Sequence, residues 1–175
     1  MRRADRTANR GRKALENHDL ITRRGTPDDL AAVLAFFQLL DEEFVPPLSQ
    51  REPLEERARA AVSAPGYGCA LVTTLTRETV ALSVFRRFAD ASRPTAELSF
   101  FGVHPAWRGR GLGSAFRGWL LDELRASGFV AVRTRTWSGN HPMIALNRRH
   151  GFELIRVAVD ERGPGIDSWY FGREL

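Results

Sequence analysis

The chain has 175 residues, 43% of them hydrophobic and 27% charged, a composition typical of one globular domain with its own core. Its formal net charge of +5 resides entirely in the first thirteen residues, which hold six basic side chains and one acidic one. Because the rest of the chain is neutral overall, the composition argues against a fold that binds nucleic acid specifically through a basic face. The single cysteine, Cys69, excludes an intrachain disulfide.

The amino-terminal segment predicts a basic tail over residues 1–17, followed by one domain over residues 18–175. The tail has almost no large apolar residues and cannot offset the entropy lost on ordering, so we expect it to be disordered. Its arginines could still contact anionic surfaces non-specifically. No run of about 18 apolar residues is present, so the sequence predicts a cytoplasmic protein with no membrane partner.

The first half of the domain predicts a strand, two helices and three strands. Thr26 has the features of a helix N-cap, Pro27 fits the first helical position, and Leu30 to Phe37 carry an apolar stripe. From Tyr67 the apolar period changes to that of strands. The predicted elements are a strand at 20–24, helices at 26–44 and 54–64, and an antiparallel meander of strands at 68–75, 79–88 and 95–103.

The second half predicts helices that alternate with strands. A helix over 112–127 has an apolar stripe that includes Phe116, Leu120 and Leu124, and Gly128 is its stop signal. A strand at 129–137, a short helix within 140–151 and strands at 152–160 and 168–174 follow. This order of elements predicts a single domain of the mixed α/β class.

The segment from Arg108 to Trp119 joins a strand to a helix through glycines, a pattern typical of backbone that approaches a ligand closely. A P-loop is excluded because the turn has no lysine, and a dinucleotide-binding fingerprint is excluded because the glycine spacing does not fit. The remaining pattern, Arg-x-x-Gly-x-Gly, would present N–H groups at a helix N-terminus to a pyrophosphate. A tight turn without a ligand is the alternative.

Two segments, in this order, resemble motifs of the GNAT superfamily of N-acetyltransferases. VHPAWRGRGLGSAF resembles its acyl-CoA-binding segment, and NHPMIALNRRHGFE resembles its next motif, here with Asn140, Met143, Leu146, Gly151 and Phe152. With the element order, the resemblance covers residues 18–175. It implies a GNAT-like single domain of mixed α/β (α+β) class, in which about four helices flank a central, mostly antiparallel, splayed sheet of about seven strands.

The resemblance also implies acetyl-CoA as the cosubstrate and no metal. The strands that end at Val103 and Trp137 would start paired and then splay apart, with the pantetheine arm in the opening like an extra strand. The pyrophosphate would lie on backbone amides of the glycine turn. The implied cofactor-binding residues are Phe101, Gly102, Val103, Arg108, Gly109, Arg110, Gly111, Leu112, Gly113, Ser114, Asn140 and Asn147.

Acyl transfer to an amine needs a neutral amine, a polarised carbonyl and a proton for the leaving thiolate, but no covalent intermediate. Glu97 is the candidate general base, because strand alternation would place it on the same face as Phe101 and Val103. A solvated charge at the start of the strand is the alternative. Ser99 could relay a water molecule.

The general acid is left open by the sequence. Many members of the resembled superfamily carry a tyrosine where this chain has Asn147, and an amide is a poor proton donor to a thiolate. The acid is either solvent or another group: His141 and His150 flank the site region, and Tyr170, on the last strand, is the catalytic candidate. The departure at Asn147 also motivates an alternative function, an acyl-CoA-binding or regulatory domain with weak or no catalysis.

The acceptor pocket would be built from the first two helices, their link and the last hairpin. Asp41, Glu42 and Glu43 lie next to Phe44, and such an acidic, aromatic patch could attract a cationic amine, although a solvated helix end explains it as well. The sequence therefore predicts direct transfer from acetyl-CoA to a small-molecule or peptide amine in a ternary complex. The acceptor, a homodimeric state, the role of the tail and the length of the acyl group stay open.

Overall fold

In a computed structural model, residues 19–88 and 92–175 are described; the predicted basic tail lies outside them. Within these residues, seven strands and four α-helices follow one another in the predicted order. The strands are β1 (Leu20–Arg24), β2 (Tyr67–Thr74), β3 (Thr79–Arg87), β4 (Thr95–Val103), β5 (Ala131–Trp137), β6 (Glu153–Ala158) and β7 (Ser168–Glu174). The helices are α1 (Leu30–Leu40), α2 (Leu54–Ser63), α3 (Leu112–Ala126) and α4 (His141–Arg149).

All strands form one open sheet in the order β1-β2-β3-β4-β5-β7-β6. Neighbours are antiparallel except β4 and β5, which run parallel and pair only from Thr95–Ala131 to Leu98–Thr134. Beyond that last pair, β4 continues to Val103 and β5 to Trp137 without pairing to each other. The expected mixed α/β class and splayed, mostly antiparallel sheet are thereby confirmed.

The start of α1 shows how local sequence positions an element. The Asp29 carboxylate accepts a hydrogen bond from the backbone N–H of Thr26 at 2.8 Å and two from the Arg23 guanidinium of β1, at 2.6 and 2.7 Å. These interactions, led by the bond from Arg23, lower the pKa of Asp29 to about 2. They tie the entry of the helix to the first strand.

Helices cover the two faces of the sheet and define two cores. On one face α1 and α2 pack on β2, β3 and β4, with Phe37, Leu82 and Phe100 in the buried cluster. On the other face α3 packs on the centre of the sheet, with Phe101 and Phe116 in the cluster. We call these the α1/α2 face and the α3 face.

A β-bulge at Ser99 changes which side chains of β4 share a face. Leu98 pairs with Phe85 and Phe100 with Val84, so Ser99 is the extra residue. Leu98 belongs to the buried cluster of the α3 face, Phe100 to that of the α1/α2 face, and Phe101 to the α3 face again. The expectation that Glu97 shares a face with Phe101 and Val103 is therefore wrong, because the bulge inverts the alternation between them.

None of the helices in the described ranges is long and apolar enough to cross a bilayer.

Candidate active site

The glycine turn between β4 and α3 has the backbone that its sequence predicts. Gly109 and Gly111 have φ angles of 74° and 82°, in the left-handed region that favours glycine. A Cβ at either position would meet no atom within 4 Å, so the backbone faces open space there. α3 begins at Leu112. Because the first N–H groups of a helix have no intrahelical acceptor, this turn is suited to hold an anion.

Both arginine side chains of this turn contact other residues of the protein. Arg108 donates to the Val103 carbonyl at 2.9 Å and to a Glu43 carboxylate oxygen at 2.7 Å, so its guanidinium already has an anionic partner just after the end of α1. Arg110 lies over the Trp107 ring, 5.6 Å from its centroid. The backbone amides, not the Arg108 side chain, are therefore the stronger donors for a phosphate.

The diverging ends of β4 and β5 leave an opening next to this turn. On the α3 face it begins at Phe101, which is 8% exposed and stacks on Phe116 at 5.4 Å. A Cβ on Gly113 would lie 3.4 Å from the Val103 side chain, so α3 starts close against the end of β4. Gly102 faces the other side, where a Cβ would meet Leu40 at 2.5 Å. Packing against Leu40 therefore requires a glycine at this position, whether or not a ligand lies nearby.

Arg117 is a fully buried guanidinium beside this opening. It lies 4.3 Å from the centroid of the Phe101 ring and donates to the Asn147 side-chain oxygen at 3.3 Å and to the Met143 sulfur at 3.5 Å. Arg117 Nε and Asn147 Nδ2 are buried without a hydrogen-bond partner. Burial lowers the pKa of Arg117 to about 9. Asn147 therefore interacts inside the protein, and no phenol is available at its position.

Polar side chains cap the start of α4 and link the end of α4 to the first turn of α3. Asn140 caps α4, its side-chain oxygen accepting from the Met143 N–H at 3.3 Å. The Ser114 hydroxyl in the first turn of α3 lies 3.0 Å from His150 Nε2. Burial, and then Arg117, Arg173 and Arg149, lower the pKa of His150 to about 4, so the imidazole is neutral near pH 7.

An open pocket lies on the α1/α2 face, where the opening between β4 and β5 begins. It has a volume of about 320 Å³ and is lined by Pro46, Arg51, Arg135, Glu161 and Arg162. Arg135 is the residue of β5 directly after Thr134, the last one paired with β4. The pocket is built from the α1–α2 link and the last hairpin, which are the segments expected to form an acceptor pocket.

Tyr170 stands at the edge of this pocket within a polar group. Its hydroxyl donates to Glu161, with both carboxylate oxygens at 2.8 Å, and accepts from Arg135 at 3.3 Å. Hydrogen bonds from Ser168 and Tyr170, together with the charges of Arg135 and Arg156, hold the pKa of Glu161 below its usual value. The phenol is thus held in place by an anion and a cation.

Glu97 lies one residue before the end of the β4–β5 pairing. Its carboxylate accepts from the Arg86 guanidinium at 2.7 Å, and its side chain is 18% exposed. Alternation with Leu98 places it on the α1/α2 face, the face of the pocket. Ser99, at the bulge, donates to the Val84 carbonyl at 3.4 Å, and its own carbonyl accepts from Arg57 at 3.1 Å.

The acidic patch expected to attract a cationic amine is engaged by other groups. Asp41 accepts from the N–H and hydroxyl of Ser49 at 2.8 and 2.6 Å, and Glu43 pairs with Arg108. The pocket itself carries three arginines and one carboxylate, the opposite charge balance. Asp41 and Glu43 therefore order the link that shapes this pocket and do not line it.

Sequence reasoning overlooked Arg117 and the pocket arginines for different reasons. Arg117 lies three, four and seven residues before Leu120, Leu121 and Leu124, so its phase within the apolar stripe of α3 could have revealed a buried charge. Nothing in the sequence brings Arg51, Arg135 and Arg162 together.

Cys69 is buried, which raises the pKa of its thiol to about 11 and makes it a poor nucleophile.

Comparison with known proteins agrees with this architecture. Residues 33–152 match the family model described as the acetyltransferase (GNAT) family. The match spans more than half of the chain, and the chain belongs to this family. A search of curated protein sequences finds no significant match.

Solved structures with the same fold include several acetyltransferases. A GCN5-related N-acetyltransferase from Kribbella flavida has 20% identity and a TM-score of 0.75, covering 90% of this chain and 98% of its own. The ribosomal-protein-S18-alanine N-acetyltransferase from Escherichia coli has 21% identity and a TM-score of 0.72, with 89% and 94% covered. NAA60 from Arabidopsis thaliana, in complex with a bisubstrate analogue, has 17% identity and a TM-score of 0.72, with 89% and 97% covered. At these identities the likeness concerns the fold alone.

Proposed function

We propose that this chain transfers an acetyl group from acetyl-CoA to an amine by direct attack within a ternary complex. The observation that carries the proposal is the end of the β4–β5 pairing at Leu98–Thr134, with an open glycine turn next to it and a pocket on the α1/α2 face. Donor and acceptor could thus approach one opening from different sides. Direct attack requires that arrangement.

The residues present fit the acyl donor. The open backbone of Gly109 and Gly111, followed by the N-terminus of α3, suits a pyrophosphate, and a Cβ at either glycine would enter that space. Beyond Leu98, β4 has no strand partner on the side of β5, where an extended arm could bind as a neighbouring strand would. Acetyl-CoA would supply the activated thioester. Ser114 and Asn140, at the starts of α3 and α4, would border its path.

The proton transfers are assigned to two groups on the α1/α2 face. Glu97 would take the proton of the amine, directly or through a water near Ser99. Tyr170 would deliver a proton to the leaving thiolate, since its hydroxyl lies at the pocket edge between Glu161 and Arg135. Asn147 is buried against Arg117 and takes no part in this scheme.

A second candidate is an acyl-CoA-binding domain without turnover. The observation that favours it is Asn147, whose amide occupies the position where the resembled superfamily often has a tyrosine and is bonded within the core. Both candidates share the donor site and differ only in chemistry.

Turnover separates the two candidates. The full chain is mixed with acetyl-CoA and a chemically diverse panel of primary amines, and free thiol is measured over time, with calorimetry of coenzyme A binding in parallel. We expect amine-dependent thiol release for at least one class of amine. Tight binding of coenzyme A with no release above the amine-free rate would reject the enzyme and favour the binding domain.

A further inference from the structure

The acceptor pocket concentrates positive charge that the rest of the domain does not have. Of its five lining residues three are arginines, Arg51, Arg135 and Arg162, and one is a glutamate. The net charge of the chain beyond residue 13 is zero. The cationic pocket is therefore a local feature and not a consequence of overall basicity.

Two of these guanidiniums are held by neutral groups. Arg51 donates to the Val45 carbonyl at 3.4 Å, and Arg162 donates to the same carbonyl and to the Ser168 hydroxyl, the latter at 2.9 Å. Arg162 also lies over the Trp137 ring, 5.7 Å from its centroid. Such contacts fix the direction of a cation without neutralising it. Two arginines from distant segments thus converge on one point of the α1–α2 link.

The single carboxylate of the pocket is shared among several donors. Glu161 accepts from Tyr170 and lies 3.7 Å from Arg135 and 3.8 Å from Arg156. It therefore offsets the charges of Arg51 and Arg162 only in part. The pKa values agree with uncompensated charge: burial, and then Arg51 and Arg135, lower the pKa of Arg162 to about 10. Burial, and then Arg135 and Arg57, lower the pKa of Arg51.

We propose that the acceptor is a small amine that carries an anionic oxyacid group, and that Arg51, Arg135 and Arg162 bind this group; the inference rests on the proposed acetyl transfer. Arginine presents a planar set of donors that matches a carboxylate or phosphonate. An anion here would relieve the repulsion among three cations. The expected ligands are amino acids or aminoalkylphosphonates.

The size and place of the pocket favour a small molecule. A volume of about 320 Å³ is at the lower end of the range for ligand pockets and suits one compact molecule. Arg135 lies directly after the last β4–β5 pair, so an acid group bound here would have its amine beside the opening. Amine and acid are therefore expected only a few bonds apart.

Matched amines test the proposal. Initial rates with saturating acetyl-CoA are measured for L-amino acids, for their carboxamides and for the corresponding amines without the acid, and for 2-aminoethylphosphonate against ethanolamine. We expect kcat/KM at least tenfold higher for the acids than for their neutral partners. The two series show whether carboxylate or phosphonate is preferred. Equal or higher kcat/KM for the neutral amines would overturn the proposal.

Variants locate the effect in the pocket. Arg51→Gln and Arg162→Gln should each raise KM for the preferred acid at least tenfold and reduce the preference for acids over neutral amines, while KM for acetyl-CoA changes less than twofold. Arg162→Lys, which keeps the charge, should recover part of the affinity. Arg59→Gln is the matched control, because Arg59 is an exposed arginine of α2 that pairs with Glu55. An effect of Arg59→Gln equal to that of the pocket variants would reject the assignment.

A binding experiment keeps this proposal separate from the proposed function. Calorimetry measures binding of the N-acetylated amino acids and of their amides to the native chain and to Arg51→Gln, with folding of each variant checked by thermal denaturation. We expect the native chain to bind the acids at least tenfold more tightly than the amides. Arg51→Gln should not show this preference. If the acids bind in this way but no amine is acetylated, the proposed function fails and the anion site stands. If amines are acetylated without preference for acids, the anion site fails alone.

Discussion

At the scale of single residues, Arg117 is the most unusual feature of the described chain. A buried guanidinium usually has a carboxylate partner, but the hydrogen bonds of Arg117 go to an amide oxygen and a thioether sulfur, and its Nε has no partner. The desolvation cost of a buried charge often exceeds what its partners return. Arg117 therefore costs stability where it contacts Phe101, next to the proposed donor site.

We expect Arg117→Met to leave the free energy of unfolding unchanged or raise it by about 1–4 kcal/mol, because a flexible apolar side chain of similar volume removes the buried charge. Asn147→Ala in the native background should lower it by about 1–3 kcal/mol, because the guanidinium loses its best acceptor. Urea denaturation of both single variants and of the double variant measures the coupling. A loss of several kcal/mol in Arg117→Met would mean that the guanidinium contributes net stability.

Glu97 is the residue whose chemical role is most sharply testable. Glu97→Gln keeps the shape of the side chain but removes the proton acceptor, so we expect kcat to fall by about 10²–10⁴-fold and the acidic limb of the pH–rate profile to disappear. Affinity for coenzyme A should not change. Arg86→Gln is the control, because it removes the ion pair and leaves the carboxylate. Similar small losses in both variants would show that Glu97 serves only the ion pair.

At the scale of elements, α3 is flanked at both ends by glycines with positive φ. Gly111 precedes it with a φ of 82° and Gly128 follows it with a φ of 84°. A side chain at either position pays a similar backbone penalty, about 1–2 kcal/mol. Of these two glycines, only Gly111 lies in the proposed phosphate site. Substitutions at the two ends of α3 therefore distinguish an effect on ligand binding from an effect on stability.

We expect Gly111→Glu to abolish coenzyme A binding in calorimetry, since its side chain would occupy the phosphate site and repel the ligand. Gly128→Glu should lower the melting temperature to a similar extent while coenzyme A affinity stays within twofold of the native value. Thermal denaturation and calorimetry of both variants decide the question. Undiminished binding by a folded Gly111→Glu protein would remove this turn from the donor site.

At the scale of the whole molecule, the buried polar contacts between α3 and α4 link global stability to pH. His150 is held neutral in the folded state, with a pKa of about 4 against an ordinary value of 6.5. Between pH 6.5 and about 4 the unfolded chain therefore binds more protons than the folded chain. The free energy of unfolding falls as the pH is lowered through this window and is not lowered further by His150 below it.

We expect His150→Gln to flatten the pH dependence of the unfolding free energy between pH 6.5 and about 4, as measured by urea denaturation at several pH values. Carboxylates such as Asp29, with a pKa of about 2, contribute at lower pH and remain in both proteins. His141→Gln, at the exposed start of α4, is the control for loss of a histidine. Parallel curves for the native chain and His150→Gln would contradict the burial of a neutral imidazole.

Most of the architecture could be predicted from the sequence because it depends on local patterns. Helical and strand periods, the Thr26–Pro27 start and the glycines around α3 each act over a few residues, and together they predicted the seven strands and four α-helices of the described chain. The family resemblance then supplied their arrangement. The open glycine turn followed from the same short-range logic, since Gly109 and Gly111 adopt the positive φ that their spacing suggested.

What the tertiary structure alone decided depends on residues that are distant in the chain. One extra residue at Ser99 inverts the alternation of β4 and separates Glu97 from Phe101, although no local pattern marks a bulge. Carboxylates near Phe44 were candidates for an acidic acceptor patch, but a contact with Ser49 within the link and one with the distant Arg108 engage two of them. Arginines from the α1–α2 link, from β5 and from the last hairpin form the pocket instead. The sequence determines which residues are charged. Packing determines which of them become partners, and therefore whether a site is positive or negative.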